Sequence, residues 1–225
     1  VPLTPISTGT NNVFPSLVEG TLAGLAAGFV ATGVATADVD RPRVIERRAV
    51  LRVAVDGAPR DIALVDVVTT AQSWVGARAI WDARQMRQIV LSRVIGAAIG
   101  IASLGGILFP EACGGCSGAA IELGGSLDSE SRIVAPLAPG LIAPVAIKSA
   151  RLIHAGDVVD LGSEPTTVAL DGERELRIPP PGAPLSVTLD PLGPRVVNIA
   201  NALVAGARSG AFDAARLSDR LTAQL

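Results

Sequence analysis

The stretch VLRVAVDGAPRDIALVDVVTT, residues 50–70, decides the fold class. Leu51, Val53 and Val55 alternate with other residues, and this period of two is typical of a β-strand with one buried face. Asp56-Gly57 then marks a turn, and residues 61–70 are predicted to form the return strand. The stretch therefore predicts a β-hairpin.

Further short strands are predicted downstream, because apolar runs alternate there with glycine and proline. The clearest hairpin is residues 166–178, TTVALDGERELRI, in which Asp171-Gly172 forms a two-residue turn that needs positive φ. Residues 82–90 are charged and are predicted as a short helix. The other predicted strands are residues 118–123, 131–137, 142–153, 157–161 and 184–190.

Helical periodicity is confined to the two ends of the chain. An apolar helix is predicted over 16–31, and two more over 194–208 and 213–225. The fold class is therefore α+β and mainly β, with a small α/β piece, a long β region and a helical end. The boundaries follow these changes of period, which give three regions: residues 1–38, 39–192 and 193–225.

Composition argues against two classes of partner. Nineteen Lys and Arg against twenty-one Asp and Glu leave a net charge of −2, without the basic excess that nucleic-acid binding needs. Mean hydropathy is high at +0.47. However, the apolar segments 20–37 and 94–109 are rich in Ala and Gly. They are predicted as a buried helix and buried strands rather than membrane spans. We expect neither a nucleic-acid nor a membrane partner.

The loop STGTNNVFP, residues 7–15, lies between a predicted strand and a predicted helix. Such a loop exposes backbone N–H groups beside the positive end of a helix dipole, which favours phosphate. Hydroxyls and amides that suit ribose and phosphate come from Thr8, Thr10, Asn11 and Asn12. The alternative is an ordinary strand-to-helix turn capped by Thr and Asn.

Two acids are candidate catalytic residues. Asp66 lies in the apolar run IALVDVV, where a buried carboxylate is costly unless it is paired or functional. The alternative is a strand-end acid bonded to a neighbouring backbone N–H. Glu173 follows the Asp171-Gly172 turn and would act as a general base at a domain interface. Its alternative is a plain turn residue.

Cys113-Gly114-Gly115-Cys116 matches C-x-x-C, which occurs in redox pairs and in zinc sites. The chain has no further cysteine, and its single histidine is His154. A zinc site needs four ligands, so we predict reduced turn cysteines and no metal site here. A lone cysteine pair fits a cytoplasmic protein.

Several stretches, in chain order, resemble the ATP-NAD kinase-like family and its AcoX (acetoin catabolism X) branch. The loop PLTPISTGTNNVFP (2–15) resembles the one that follows the family's GGDGT motif. RVIERRAVLRVAVDGAPRDIALVDVV (43–68) resembles its first long hairpin, and VALDGERELRI (168–178) its late hairpin. WVGARAIWDARQMRQIVLSR (74–93) and IGIASLGGILFP (99–110) are most like the AcoX branch.

The resemblance implies a two-domain fold of the NAD kinase type. Residues 1–38 would be the remainder of an N-terminal α/β nucleotide-binding domain, followed by the β-rich domain 39–192. The helices of 193–225 would return to the first domain. It also implies a homo-oligomer, and a segment with GGDGT upstream of this chain. Without that segment, we expect the chain to be inactive.

The resemblance further implies ATP-dependent phosphorylation of a hydroxyl, with Mg²⁺, in NAD or another small alcohol. Thr8, Gly9, Thr10, Asn11 and Asn12 would bind the nucleotide. Glu173 and Asp66 would line the acceptor side. One alternative is a non-catalytic nucleotide-binding accessory or sensor protein of acetoin-type catabolism. Another is a β-rich oligomerisation domain.

The sequence departs from the family at two places that bear on the acceptor. Val65-Asp66 stands where NAD kinases carry Asn-Glu, so the acid is kept in shorter form. CGGCSGAA (113–120) stands where they carry a tyrosine-containing segment, and the chain contains no tyrosine.

Overall fold

The structure is a computed structural model that describes residues 1–7, 13–15, 17–36, 43–70, 85–124 and 131–214. The chain divides into two compact units. The small unit comprises Val1–Thr8, Pro15–Arg48 and Pro194–Leu225, and the large unit comprises Gly9–Phe14 and Ala49–Gly193. This grouping does not test whether either unit is an independent domain, so the division at 38/39 and 192/193 stays a prediction.

The small unit pairs two helices, α1 (Gly20–Ala31) and α3 (Ile199–Arg208), beside a two-stranded antiparallel sheet. The strands are β1 (Ile45–Arg47) and β13 (Arg195–Val197). The helices approach closely at Gly206, where a Cβ would lie 2.3 Å from the Phe29 ring, so a larger residue there would separate them.

Both helices begin later than the periodicity predicts. Glu19 caps α1 by accepting hydrogen bonds from the N–H groups of Thr21 and Leu22. Asn198 caps α3 by accepting from Asn201 N–H, because the β-branched residues before it are in β13. The predicted helix 213–225 lies almost wholly outside the described residues.

The large unit contains two antiparallel sheets. The first has seven strands, in the order β11 (Arg174–Ile178), β10 (Thr166–Leu170), β4 (Asp66–Thr70), β5 (Met86–Leu91), β6 (Gly118–Leu123), β8 (Leu141–Ile153) and β7 (Arg132–Ala138). The second has four, in the order β3 (Ala58–Ala63), β2 (Val50–Val55), β12 (Leu185–Asp190) and β9 (Val158–Asp160).

The two sheets pack face to face around a shared core. Leu51, Val53 and Val55 point into it from β2, as their alternation predicts, and meet Val67 and Val90 of the seven-stranded sheet. A second core covers the opposite face of that sheet and includes Leu104 of the short helix α2 (Ser103–Leu108). The mainly β, α+β class is therefore confirmed.

Two predicted elements were wrong. Met86–Leu91, predicted as part of a helix, is strand β5, because it pairs on both sides with neighbouring strands. The apolar segment 94–109, predicted as buried strands, contains α2. Gly106 explains the helix's position, since a Cβ there would lie 2.4 Å from the Ile95 carbonyl oxygen. Among the described residues, no helix has the length and apolar character needed to cross a bilayer.

The predicted return strand 61–70 is in fact two strands. β3 ends at Ala63 in the four-stranded sheet, and β4 begins at Asp66 in the seven-stranded sheet. The chain therefore changes sheets at Leu64 and Val65. An apolar run shows no interruption there, because the contacts that produce the change come from a distant part of the sequence.

Candidate functional site

The change of sheets is held by the carboxylate of Asp171. Its Oδ1 accepts hydrogen bonds from the N–H groups of Leu64 (2.8 Å), Val65 (2.7 Å) and Asp66 (3.3 Å). Leu64 N–H also lies 3.0 Å from Oδ2. Buried backbone donors that leave a sheet ladder need another acceptor, and Asp171 provides it for three consecutive residues.

Local turn chemistry positions this carboxylate. Asp171 and Gly172 have φ of 56° and 69°, as the Asp-Gly turn predicts. Glu173 N–H donates to the Leu170 carbonyl at 3.1 Å, which closes the turn. The turn is tied to β4 because Asp171 N–H donates to the Asp66 carbonyl at 3.0 Å. Asp171 and Asp66 are therefore joined in both directions, because Asp66 N–H also donates to the side chain of Asp171.

Asp66 is the first residue of β4, and it is 5% exposed. Burial, together with the negative charge of Asp171 as the smaller cause, raises the pKa of its carboxyl to about 7. Within the described part of the chain, no side chain or backbone group hydrogen-bonds to this carboxyl. A buried acid that titrates near neutrality and has no such partner is typical of a functional site.

The segment that follows β5 contacts the two residues that precede Asp66. Ser92 is 1% exposed, its N–H donates to the Val65 carbonyl, and its Oγ donates to the Leu64 carbonyl. Arg93 Nη2 donates to the Val13 carbonyl at 2.8 Å. Val13 in turn packs with Val65 and Ala102 in a small buried cluster.

This cluster bears on the predicted phosphate loop. Thr8, Gly9, Thr10, Asn11 and Asn12 lie outside the described residues. Val13 directly follows them and packs against Val65, which directly precedes Asp66. The first described residue after the predicted nucleotide loop therefore packs against the residue that precedes the predicted catalytic acid.

Arg174 offsets part of the negative charge. Its guanidinium contacts Asp61 Oδ1 at 2.5 Å, the Ile62 carbonyl at 2.7 Å and Asp171 Oδ2 at 3.5 Å. It thus joins the end of β3 to the turn after β10.

Glu173 differs from Asp66. It is exposed in the turn, and its carboxylate makes no hydrogen bond or ion pair within the described residues. The structure thus brings the turn to Asp66 through Asp171, whereas Glu173 stands free. The roles of Glu173 and Asp66 in catalysis stay predictions.

Sequence reasoning missed Asp171, Ser92 and Arg93. The Asp-Gly signal at 171–172 explains the turn completely, so nothing in the sequence indicates that the aspartate has a second role. Ser92 and Arg93 follow a strand that was predicted as a helix, and their partners are 28 and 80 positions away.

The C-x-x-C pair is accessible to solvent. Cys113 and Cys116 are exposed free thiols in the turn after α2. No group of three His, Cys, Asp or Glu residues that could hold a metal ion occurs in the described ranges. His154 Nδ1 lies 3.2 Å from Ser117 Oγ.

Two packed antiparallel sheets, with a buried acid where the chain crosses between them, define a β-rich α+β protein with a candidate proton-transfer site. A family model described as "Acetoin catabolism protein X C-terminal domain" matches residues 49–191, well over half of the chain. The chain belongs to this family. The matched region contains Asp66, Asp171 and Glu173, and it excludes the predicted phosphate loop.

The chain is also similar to a curated protein, the "Acetoin catabolism protein X" of Cupriavidus necator. The two are 36% identical over 203 residues, which cover 89% of this chain and 55% of the relative. The chain spans about half the length of the curated relative that it matches. The expected AcoX membership is therefore confirmed, and the wider NAD kinase-like relationship stays a proposal.

Proposed function

We propose that this chain forms the acceptor side of an ATP-dependent phosphotransferase of the NAD kinase-like superfamily, in which Asp66 is the general base. The observation that carries the proposal is the buried carboxyl of Asp66, whose pKa is raised to about 7. A general base works best when its pKa lies near the operating pH, because it is then both ionised and basic enough to accept a proton.

Asp66 would accept the proton of the acceptor hydroxyl at a carboxylate oxygen as the hydroxyl oxygen bonds to phosphorus. Asp171 is a positioning residue, because its carboxylate fixes the backbone on which Asp66 is carried. Burial excludes bulk water from the base and so favours transfer to the acceptor over hydrolysis. Bound Mg·ATP would supply the γ-phosphoryl group, and ADP would leave as the bond from the γ-phosphorus to the bridging oxygen breaks.

The described residues fit this cofactor in part. Mg²⁺ is held in kinases by one or two carboxylates together with substrate phosphates, so a three-residue cage is not required. Asp66 is assigned here to the base, so no described carboxylate is assigned to the metal. Val13, the first described residue after the predicted nucleotide loop, packs against Val65. The acceptor would be NAD or another small alcohol. Self-association and a cytoplasmic location belong to the same proposal.

The test is ADP release from Mg·ATP by the longest natural form of the protein, with NAD and, separately, acetoin as acceptors. Asp66→Asn is expected to lower turnover by about 10²-fold or more and to leave Mg·ATP binding unchanged in calorimetry. Activity should rise with pH through about 7, as Asp66 ionises. Asp56→Asn, in an exposed turn, is the matched control and should keep full activity.

The outcomes separate the possible functions. Turnover with acetoin but not NAD would retain the kinase and exclude NAD as the acceptor. An Asp66→Asn variant with unchanged turnover would reject the base. Mg·ATP binding without turnover would favour the second candidate, a nucleotide-binding accessory protein. Binding of neither nucleotide would favour an oligomerisation domain.

A further inference from the structure

A second polar site lies within the large unit, where the four-stranded sheet stops covering its partner. A cavity of about 360 Å³ opens between β9, the edge strand, and strands β5, β6 and β8 of the seven-stranded sheet. This volume is near the lower end of the range of small-molecule sites in proteins. The proposed phosphotransfer chemistry uses none of its lining residues.

The floor of the cavity consists of two rows across three strands. Strand register aligns Gln88, Glu122 and Ser149 in one row, and Val90, Ala120 and Arg151 in the next. Ala120 is the small central residue of its row. Towards the centre of the sheet, the same face is the apolar core. The change from apolar to polar along one sheet face coincides with the end of the covering sheet.

The carboxylate of Glu122 is already bound by Lys148 and Ser149. Lys148 Nζ lies 2.6 Å from Glu122 Oε1, and Ser149 Oγ donates to Oε2 at 3.2 Å. The hydrogen bond from Lys148 holds the pKa of Glu122 below its usual range. Since Ser149 gives its proton to Glu122, its oxygen remains an acceptor for a hydroxyl of a ligand.

The hydrogen-bond donors of the cavity, Arg151 and the Gln88 amide, are not engaged in this way. No ion pair joins Arg151 to a carboxylate in the described residues. Gln88 Oε1 accepts a weak hydrogen bond from Thr69 Oγ1 at 3.4 Å, which leaves its amide NH₂ available as a donor. Two carboxylates also line the cavity: Glu122, whose charge Lys148 offsets, and Asp160, whose Oδ1 accepts a hydrogen bond from Gly162 N–H. The unpaired guanidinium of Arg151 and the amide of Gln88 suit an oxyanion, because the planar fork of arginine matches carboxylate and phosphate geometry.

We propose that this cavity binds a small hydroxylated organic anion, with Arg151 and Gln88 on its carboxylate or phosphate and Ser149 on a hydroxyl. The volume of the cavity limits the ligand to a short carbon chain, which would contact Val158 and Leu161. The site is separate from Asp66 and does not depend on the phosphotransferase proposal.

The experiment is an NMR titration of the ¹⁵N-labelled chain with three probes that share one three-carbon skeleton. They are glycerate, with a carboxylate; glycerol 3-phosphate, with a phosphate; and glycerol, with neither. We expect one or both anions to shift the Gln88 side-chain amide and the Ser149 and Arg151 backbone signals, and glycerol to leave them in place. The anion that shifts them identifies the oxyanion.

Arg151→Gln is expected to weaken binding about tenfold or more, because it removes a charge-assisted hydrogen bond. Arg87→Gln, an exposed arginine on β5 whose side chain does not line the cavity, is the matched control and should bind as the parent does. The proposal is overturned if no probe shifts these signals at roughly 20 mM, where a millimolar site would be nearly saturated. Equal shifts with glycerol, or equal binding by Arg151→Gln, would overturn it as well.

Discussion

Two turns of the large unit have the same Asp-Gly sequence, but their aspartates make different contacts. Asp56-Gly57 joins β2 to β3, and Asp171-Gly172 joins β10 to β11. Their φ angles are nearly equal, at 52° and 72° for the first turn and 56° and 69° for the second. Asp56 is exposed, and its carboxylate makes no hydrogen bond within the described residues. Asp171 is 14% exposed and accepts from three backbone N–H groups.

The comparison shows that local conformation and tertiary role are set separately. Asp-Gly suits both turns because its backbone tolerates positive φ. What differs is what lies opposite the aspartate: solvent at Asp56, and a chain changing sheets at Asp171. Asp171 thereby ties the fold to the site, because the backbone that it holds carries Asp66.

The largest expected loss of stability comes from replacing Asp171. Asp171→Ala leaves three buried N–H groups without an acceptor and places alanine at positive φ, at a cost of about 5 kcal/mol in the free energy of unfolding. Asp56→Ala also places alanine at positive φ but removes no hydrogen bond, so its free energy of unfolding should fall by only about 1 kcal/mol. Urea denaturation of both variants measures the difference.

Asp171→Asn keeps the comparison measurable if the alanine variant does not fold. Asparagine tolerates positive φ and retains one carbonyl oxygen, so we expect a loss of about 2 kcal/mol. Asp56→Asn should be within about 0.5 kcal/mol of the parent. Equal losses at the two turns would contradict the proposed role of Asp171.

The two turns also show which features of the fold can be predicted from the sequence and which cannot. Strand β2 and both Asp-Gly turns follow from alternation and turn chemistry within a few residues, so the sequence predicts them. The break at Leu64 and Val65 depends on Asp171, more than a hundred positions away, and no local pattern indicates it. Asp66 was identifiable as an acid in an apolar run, but the contacts of Ser92 with Leu64 and Val65 required the tertiary structure.

The next largest effect is the pH dependence that Asp66 imposes on stability. Its folded pKa is about 7, against roughly 3.9 in an unfolded chain. Between these values the folded state holds a proton that the unfolded state has lost, so stability falls as pH rises. The contribution is complete below pH 4 and is lost through pH 7, at roughly 4 kcal/mol in total.

Asp66→Asn should remove this slope, because asparagine does not titrate. Denaturation of the parent and the variant from pH 4 to pH 8 measures the difference between their free energies of unfolding. Relative to the variant, the parent should become less stable with rising pH, and Asp56→Asn should follow the parent. A constant difference between parent and Asp66→Asn across this range would show that Asp66 titrates normally.

The smallest expected effect concerns Arg174, which contacts the Asp171 turn and the end of β3. Arg174 is 46% exposed, so Arg174→Gln should lower the free energy of unfolding by about 1 kcal/mol.

Because the variant also removes a positive charge beside Asp171, the pKa of Asp66 should rise further. Carboxyl ¹³C NMR titration follows that pKa directly. Arg177→Gln, on the same strand and paired with Glu175, is the control and should leave it unchanged. If both variants gave the same Asp66 midpoint, Arg174 would be a surface ion pair like any other, and the contrast between the two turns would rest on the three N–H bonds to Asp171.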